Sequence, residues 1–175
     1  MGTEILEIAK YVLPSLISLT AAILIVRMFM KRDEDYKKFE IAVKNKNTTL
    51  PLRLQSYERL TLLLERLEPS SLITRLVPND LTSKDYQLIL ISNIKAEFEH
   101  NLSQQIYVSS NVWNSVVLVK NDLIKTVIMK GAELGPDASG LQLSRAILTH
   151  YHELETASPN GAALDMISME VKSLF

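Results

Sequence analysis

Glu97 and His100 stand three apart in the string EFEHNLSQQIYVS. On a helix that spacing places a carboxylate and an imidazole on one face. Di-metal centres in helical bundles use two Glu-x-x-His elements and two further Glu, all projecting into one interior. A second such element is missing here. His150 with Glu153 has the reverse order, and His150 and His152 are the only other histidines. Being two apart, those two point about 160° from one another on a helix and cannot share a metal there. His100 also lies opposite the apolar stripe through Phe98, beside Asn93 and Gln104, whereas a bundle metal site faces inward. The simpler account is a polar helix face whose Glu–His pair contributes a few tenths of a kcal/mol at most. The alternative is a metal-dependent, membrane-associated enzyme, a hydrolase or oxidoreductase, using Glu97 and His100 with His150 as a further ligand.

Other chemistry finds less support. Cysteine is absent, which removes disulfides, thiolate nucleophiles and cysteine zinc sites together. There is no Gly-x-Ser-x-Gly elbow, and GAELGPDASG lacks the Lys-Ser/Thr ending of a phosphate loop. The formal net charge of -1 argues against nucleic acid as a partner. No catalytic residue and no cofactor is therefore expected.

The elements that would position these residues begin with the N-terminus. Tyr11 to Val26, YVLPSLISLTAAILIV, is sixteen residues without a charge. Adding Arg27 and MFM brings the stretch to twenty residues, roughly 30 Å of helix or about one hydrocarbon thickness. Tyr11 begins the span, Pro14 falls in its first turns, and Arg27 can snorkel at its end. The start MGTEILEIAK is acidic and unlike a secretory signal. Lys10 alone precedes the span, while Arg27, Lys31, Arg32, Lys37, Lys38, Lys44 and Lys46 sit at its end or beyond. The positive-inside rule then puts the N-terminus in the periplasm and the bulk of the chain in the cytoplasm.

The expected organisation is a transmembrane helix within 1–30, a charged helical stalk over 31–47 and an all-α domain of five or six helices over 48–175. The stalk carries a thin apolar stripe of Tyr36, Phe39 and Val43. Beyond it, Thr48, Thr49 and Pro51 open one helix, and a short one ends at Pro78. Thr82 with Asp85 caps a third, expected to run through EFEHNLSQQIYV with Leu88, Ile91, Ile94, Phe98, Leu102 and Ile106 as its core stripe. Ser109 and Ser110 open the next, which buries Val112, Val116, Val119, Leu123 and Val127 and stops at Gly131. Two more follow GPDASG, the last with Ser158 as cap and Pro159 in its first turn. Trp113 belongs with the core.

Two residues break the pattern of the helix after Pro51. Arg53 projects into the apolar sector of Tyr57, Leu60 and Leu64, where a buried cation needs a partner such as Glu97 or Glu99. Leu62 sits on the charged side, a hint of a protein contact. Arg53, Leu62, Glu97, His100 and Gln104 are thus the interaction candidates.

The strings LPLRLQSYERLTLLLERLEP, EFEHNLSQQIYVSSNVW, ASGLQLSRAIL and VKSLF resemble an uncharacterised Bacteroidota family of single-pass, membrane-anchored helical proteins. That family carries a domain-of-unknown-function label and no assigned activity. The resemblance implies a Gram-negative inner membrane and transfers no catalytic residue. The function expected is a non-enzymatic interaction or scaffold protein, an accessory subunit of a larger inner-membrane assembly. Its partners would be membrane lipid and other membrane proteins, with a homo-oligomer as a further possibility through Ser18, Ala21 and Ala22.

Overall fold

The computed structural model describes the backbone of residues 2–135, 137–153 and 159–175, and their side chains except at 2–12, 15, 42, 45 and 46. Among the described residues the chain is all-α, with six α-helices, one 3-10 helix and no strand. They are α1 (Gly2–Leu67), α2 (Pro69–Arg75), α3 (Ser83–His100), the 3-10 turn Leu102–Ile106, α4 (Ser110–Leu134), α5 (Gly140–His152) and α6 (Pro159–Lys172). The chain divides into two compact units, Met1–Leu50 and Pro51–Phe175.

Among the described residues the first unit is helix alone. Its large apolar side chains from Leu13 to Met30 are all exposed, from 44% at Ile23 to 73% at Met28. Among the described residues no helix is long and apolar enough to cross a membrane. The charge-free run of the sequence includes Tyr11, Val12 and Ser15, whose side chains lie outside the described residues. The expected break between stalk and domain does not occur, because α1 is helical through Thr48, Thr49 and Pro51. Thr48 is no cap: its hydroxyl donates to the Lys44 carbonyl at 3.0 Å, four residues back in the same helix. The division between units falls at Pro51, whose missing N–H leaves the Asn47 carbonyl without its helical donor.

The second unit is built around α4. Val112, Val116, Val119, Leu123 and Val127 are buried along it as the periodicity predicts, and α3, α5 and α6 all pack against it. Tyr57, Leu60, Leu63, Leu64 and Leu67 of α1 join the same cluster, with Tyr86, Leu90, Leu143, Ile147 and Ile167 from the later helices. Trp113 packs against this core, its ring 5.3 Å from that of Phe98. α4 ends later than predicted, running through Gly131 to Leu134 and stopping at Gly135, where φ is 80°.

α3 departs from expectation twice. It ends at His100 because Asn101 turns its side-chain amide onto the Glu97 carbonyl at 2.9 Å, taking the acceptor that the next helical N–H would use. A 3-10 turn follows. The core face is also rotated: Tyr86, Leu90, Ile94 and Phe98 are buried, while Leu88, Leu102 and Ile106 are exposed. Four consecutive apolar residues, Leu88 to Ile91, left the periodicity unable to choose between faces.

The starts of α3 and α5 are stapled side by side. Ser83 N–H donates to the Ala138 carbonyl and Gly140 N–H to the Leu81 carbonyl, each at 2.8 Å. Thr82 caps α3 by accepting from Asp85 N–H at 3.1 Å, as its sequence suggests. Ser139 and Gln142 form a reciprocal capping box on α5. The expected cap of α6, Ser158, lies outside the described residues. Gly140 permits the close approach, since a Cβ there would meet Pro78 Cβ at 2.7 Å and Tyr86 Cβ at 3.1 Å. Gly140→Ala is therefore expected to cost about 1–3 kcal/mol by overpacking. Urea denaturation followed by circular dichroism checks this, and an unchanged midpoint contradicts the staple.

Candidate contact surfaces

Arg53 does reach a carboxylate, but it is Glu170 of α6 rather than Glu97 or Glu99. The Arg53 Nη2 lies 3.5 Å from Glu170 Oε1 and 2.9 Å from the Tyr57 hydroxyl, and its Nε donates to the Tyr107 carbonyl at 3.1 Å. Glu170 Oε1 also accepts from the Tyr57 hydroxyl at 2.5 Å and from Ser109 N–H at 3.0 Å. Its Oε2 accepts from the Ser109 hydroxyl. Ser109 thus caps α4 through Val112 N–H and holds α6 at the same time. One carboxylate ties α1, the start of α4 and α6 together.

Burial alone would raise the Glu170 pKa, but the bonds from Ser109, Tyr57 and Arg53 outweigh it and hold the carboxyl below its ordinary value of 4.5. Burial pushes the Tyr57 phenol up, and its bond to Glu170 adds to the rise. The sequence carried a signal for this partner. Ala163, Ile167 and Glu170 share one face of α6, so a carboxylate stands on a buried stripe just as Arg53 does on its own.

Glu97 has other company. Its Oε1 receives Arg66 Nη2 at 2.5 Å and Nε at 3.0 Å, with Arg75 Nη2 at 3.4 Å. Two guanidiniums on one oxygen join α1, α2 and α3, and they compete directly with any cation there. His100 is exposed one turn further on. Among the described residues no three side chains of the His, Cys, Asp and Glu types converge as a metal centre would need. Gln104 does not face outward as expected: it is buried in the 3-10 turn, which the continuous-helix reading could not anticipate. Leu62 is exposed, as its place among Arg59, Glu65 and Arg66 predicts. It is one of several uncovered apolar side chains on this unit, with Leu88, Leu118, Leu141, Leu148 and Met169.

In the first unit Pro14, Arg27, Lys31 and Arg32 are exposed on α1, while the side chain of Tyr11 lies outside the described residues. The Ser18 hydroxyl donates to the Pro14 carbonyl at 2.9 Å, and the Thr20 hydroxyl lies 2.9 Å from both the Leu16 and Ile17 carbonyls. These polar side chains of the apolar stretch are therefore satisfied by their own helix.

Together these observations define an all-α protein in whose second unit Arg53, Tyr57, Glu97 and Glu170 are engaged in holding helices together. The chain belongs to the family of unknown function DUF7935, whose model matches residues 3–174. No curated protein and no solved structure matches it.

The Glu170 junction makes a pH-dependent prediction. A carboxyl whose folded pKa is depressed contributes stability that is full above its unfolded pKa and is lost as pH falls through the folded value. Glu170→Gln is expected to cost about 2 kcal/mol at pH 7, and the gap from wild type to narrow below about pH 4.5. Denaturation curves between pH 3 and 7 test it, and a gap independent of pH contradicts the ionised clasp.

Proposed function

We propose that this chain is a membrane-anchored, non-enzymatic interaction or scaffold protein, an accessory subunit of a larger inner-membrane assembly. The carrying observation is the uncovered apolar surface of α1, where every large apolar side chain from Leu13 to Met30 is exposed. Such a surface is unfavourable in water and favourable in hydrocarbon. The hydroxyls of Ser18 and Thr20, bonded to their own helix, suit a medium that offers no partners. The apolar stretch ending at Met30 supports single-pass topology in this reading. The basic residues Arg27, Lys31, Arg32, Lys37 and Lys38 at its end support a periplasmic N-terminus and a cytoplasmic second unit.

The interaction role rests on the second unit. In the second unit the groups with displaced pKa values are Tyr57, Tyr86, Tyr151 and Glu170, and each is buried or bonded within the helix packing. Meanwhile apolar side chains on α1, α3, α4 and α5 stand uncovered, Leu62 included, and these fit a protein partner. The metal-dependent reading at Glu97 and His100 gains no support, because Arg66 and Arg75 already hold the carboxylate.

Gentle detergent extraction from native membranes, followed by size measurement and mass spectrometry, tests the scaffold reading. A stoichiometric second membrane protein is expected in the complex. Leu62→Glu should deplete that partner while leaving the unfolding midpoint in place. A lone monomer of 19.8 kDa in its micelle, with nothing co-purifying, would sink the proposal.

A further inference from the structure

In the second unit one face of α1 carries Leu52, Gln55, Arg59, Leu62 and Arg66, spaced three and four apart over about 21 Å of helix. All five are exposed, Leu52 at 44% and Leu62 at 55%. A surface helix commonly sets a carboxylate three or four residues from a cation. Lys37 meets Asp33 in this way at 2.7 Å, and Lys130 meets Glu133 at 2.9 Å. Arg59 instead has Gln55, Ser56, Leu62 and Leu63 at those positions. Among the described residues no carboxylate pairs with it.

The acids of this stretch are held elsewhere. Glu58 and Glu65 precede the two arginines by one residue each, which turns them about 100° around the helix. There they line a groove that also takes Asp165 of α6. On the basic side the one carboxylate is Glu97, and a single oxygen of it receives both Arg66 and Arg75. The side chain of Arg66 remains 55% exposed even so. Arg59, Arg66 and Arg75 against Glu97 leave two positive charges without a counter-charge, set around an exposed leucine.

We propose that this face docks an acidic amphipathic helix of the partner protein. The inference rests on the scaffold reading above and names the chemistry of the partner that meets Leu62. Leu52 and Leu62 form the apolar seam, and a helix laid along it offers its own apolar residues at the same three-and-four spacing. Arg59 and Arg66 stand two turns apart, about 10.5 Å, so the matching Asp or Glu residues of the partner lie about seven apart. The guanidinium fork suits a carboxylate taken bidentately, and the cations on this face are arginines. The two leucines select a protein over nucleic acid, whose phosphates would leave them uncovered.

The test puts a photo-reactive benzophenone amino acid in place of Gln55 in the full chain, irradiates native membranes and maps the cross-linked peptide by mass spectrometry. The expected peptide comes from a second protein, is net negative and carries at least two Asp or Glu about seven residues apart. Arg59→Glu should lower the cross-link yield about tenfold. Glu58→Arg changes the charge one residue away on the other face and should leave the yield within about twofold. If Arg59→Glu shifts the unfolding midpoint, Arg59→Gln replaces it, with an expected loss of about threefold. A cross-link to this chain, to lipid alone or to a segment without net negative charge overturns the inference, as does a yield unchanged by the Arg59 substitution. No cross-link while a second protein still co-purifies also overturns it and leaves the scaffold reading standing. If no second protein is recovered by either route, the scaffold reading fails and this inference fails with it.

Discussion

Apolar surface has to leave water, and the two units of this chain meet that constraint differently. From Pro51 onward it is met within the unit: α4 buries one face from Val112 to Val127, and the other helices close over it. From Leu13 to Met30 it is not met within the unit, since Leu16, Ile17, Leu24, Met28 and Phe29 have no covering neighbour. Apolar surface left uncovered in this way is unfavourable in water. The proposed anchor rests on that contrast between the units.

Inside the second unit, polar groups decide which helices meet. Leu, Val and Ile pack with many partners, so burial alone would tolerate several arrangements. Glu170 accepts from Ser109, Tyr57 and Arg53, which ties α6 to α1 and to the start of α4. Glu97 does the same for α1, α2 and α3 through Arg66 and Arg75. Removing one partner from such a junction leaves a half-buried charge exposed to its full desolvation cost, so these are points of specificity more than of net stability.

Much of the architecture could be read from residue order. The face of α4, the Thr82 and Ser109 caps, the short helix before Pro78 and the exposure of Leu62 all follow from local rules whose causes lie within a few residues. The end of α3 did not, because it turns on the Asn101 amide reaching back to Glu97, a choice that helix periodicity cannot register. Gln104 was misplaced for the same reason. The partner of Arg53 was out of reach for another: Glu170 lies 117 residues away, and only tertiary packing brings the two faces together. Even so, a charged residue on each of two apolar faces was visible in the string, and pairing the two was the inference available. Asn160 gave no local sign, since the Leu64 carbonyl and the Glu68 carboxylate that its amide reaches lie 96 and 92 residues away.

Membership of DUF7935 covers almost the entire chain, so the apolar stretch and the helical unit belong to one family pattern rather than to a fusion of unrelated parts. The central claim is that the uncovered helix lies in lipid while the second unit meets water. The chain has no cysteine, so single substitutions can report on this directly. Leu24→Cys and Leu62→Cys, reconstituted in phospholipid vesicles, are to be labelled with a water-soluble maleimide before and after detergent. The account predicts that a thiol at 62 reacts at once in outward-facing molecules, while one at 24 reacts only after the bilayer is dissolved. Equal, immediate labelling of both positions in intact vesicles would contradict it.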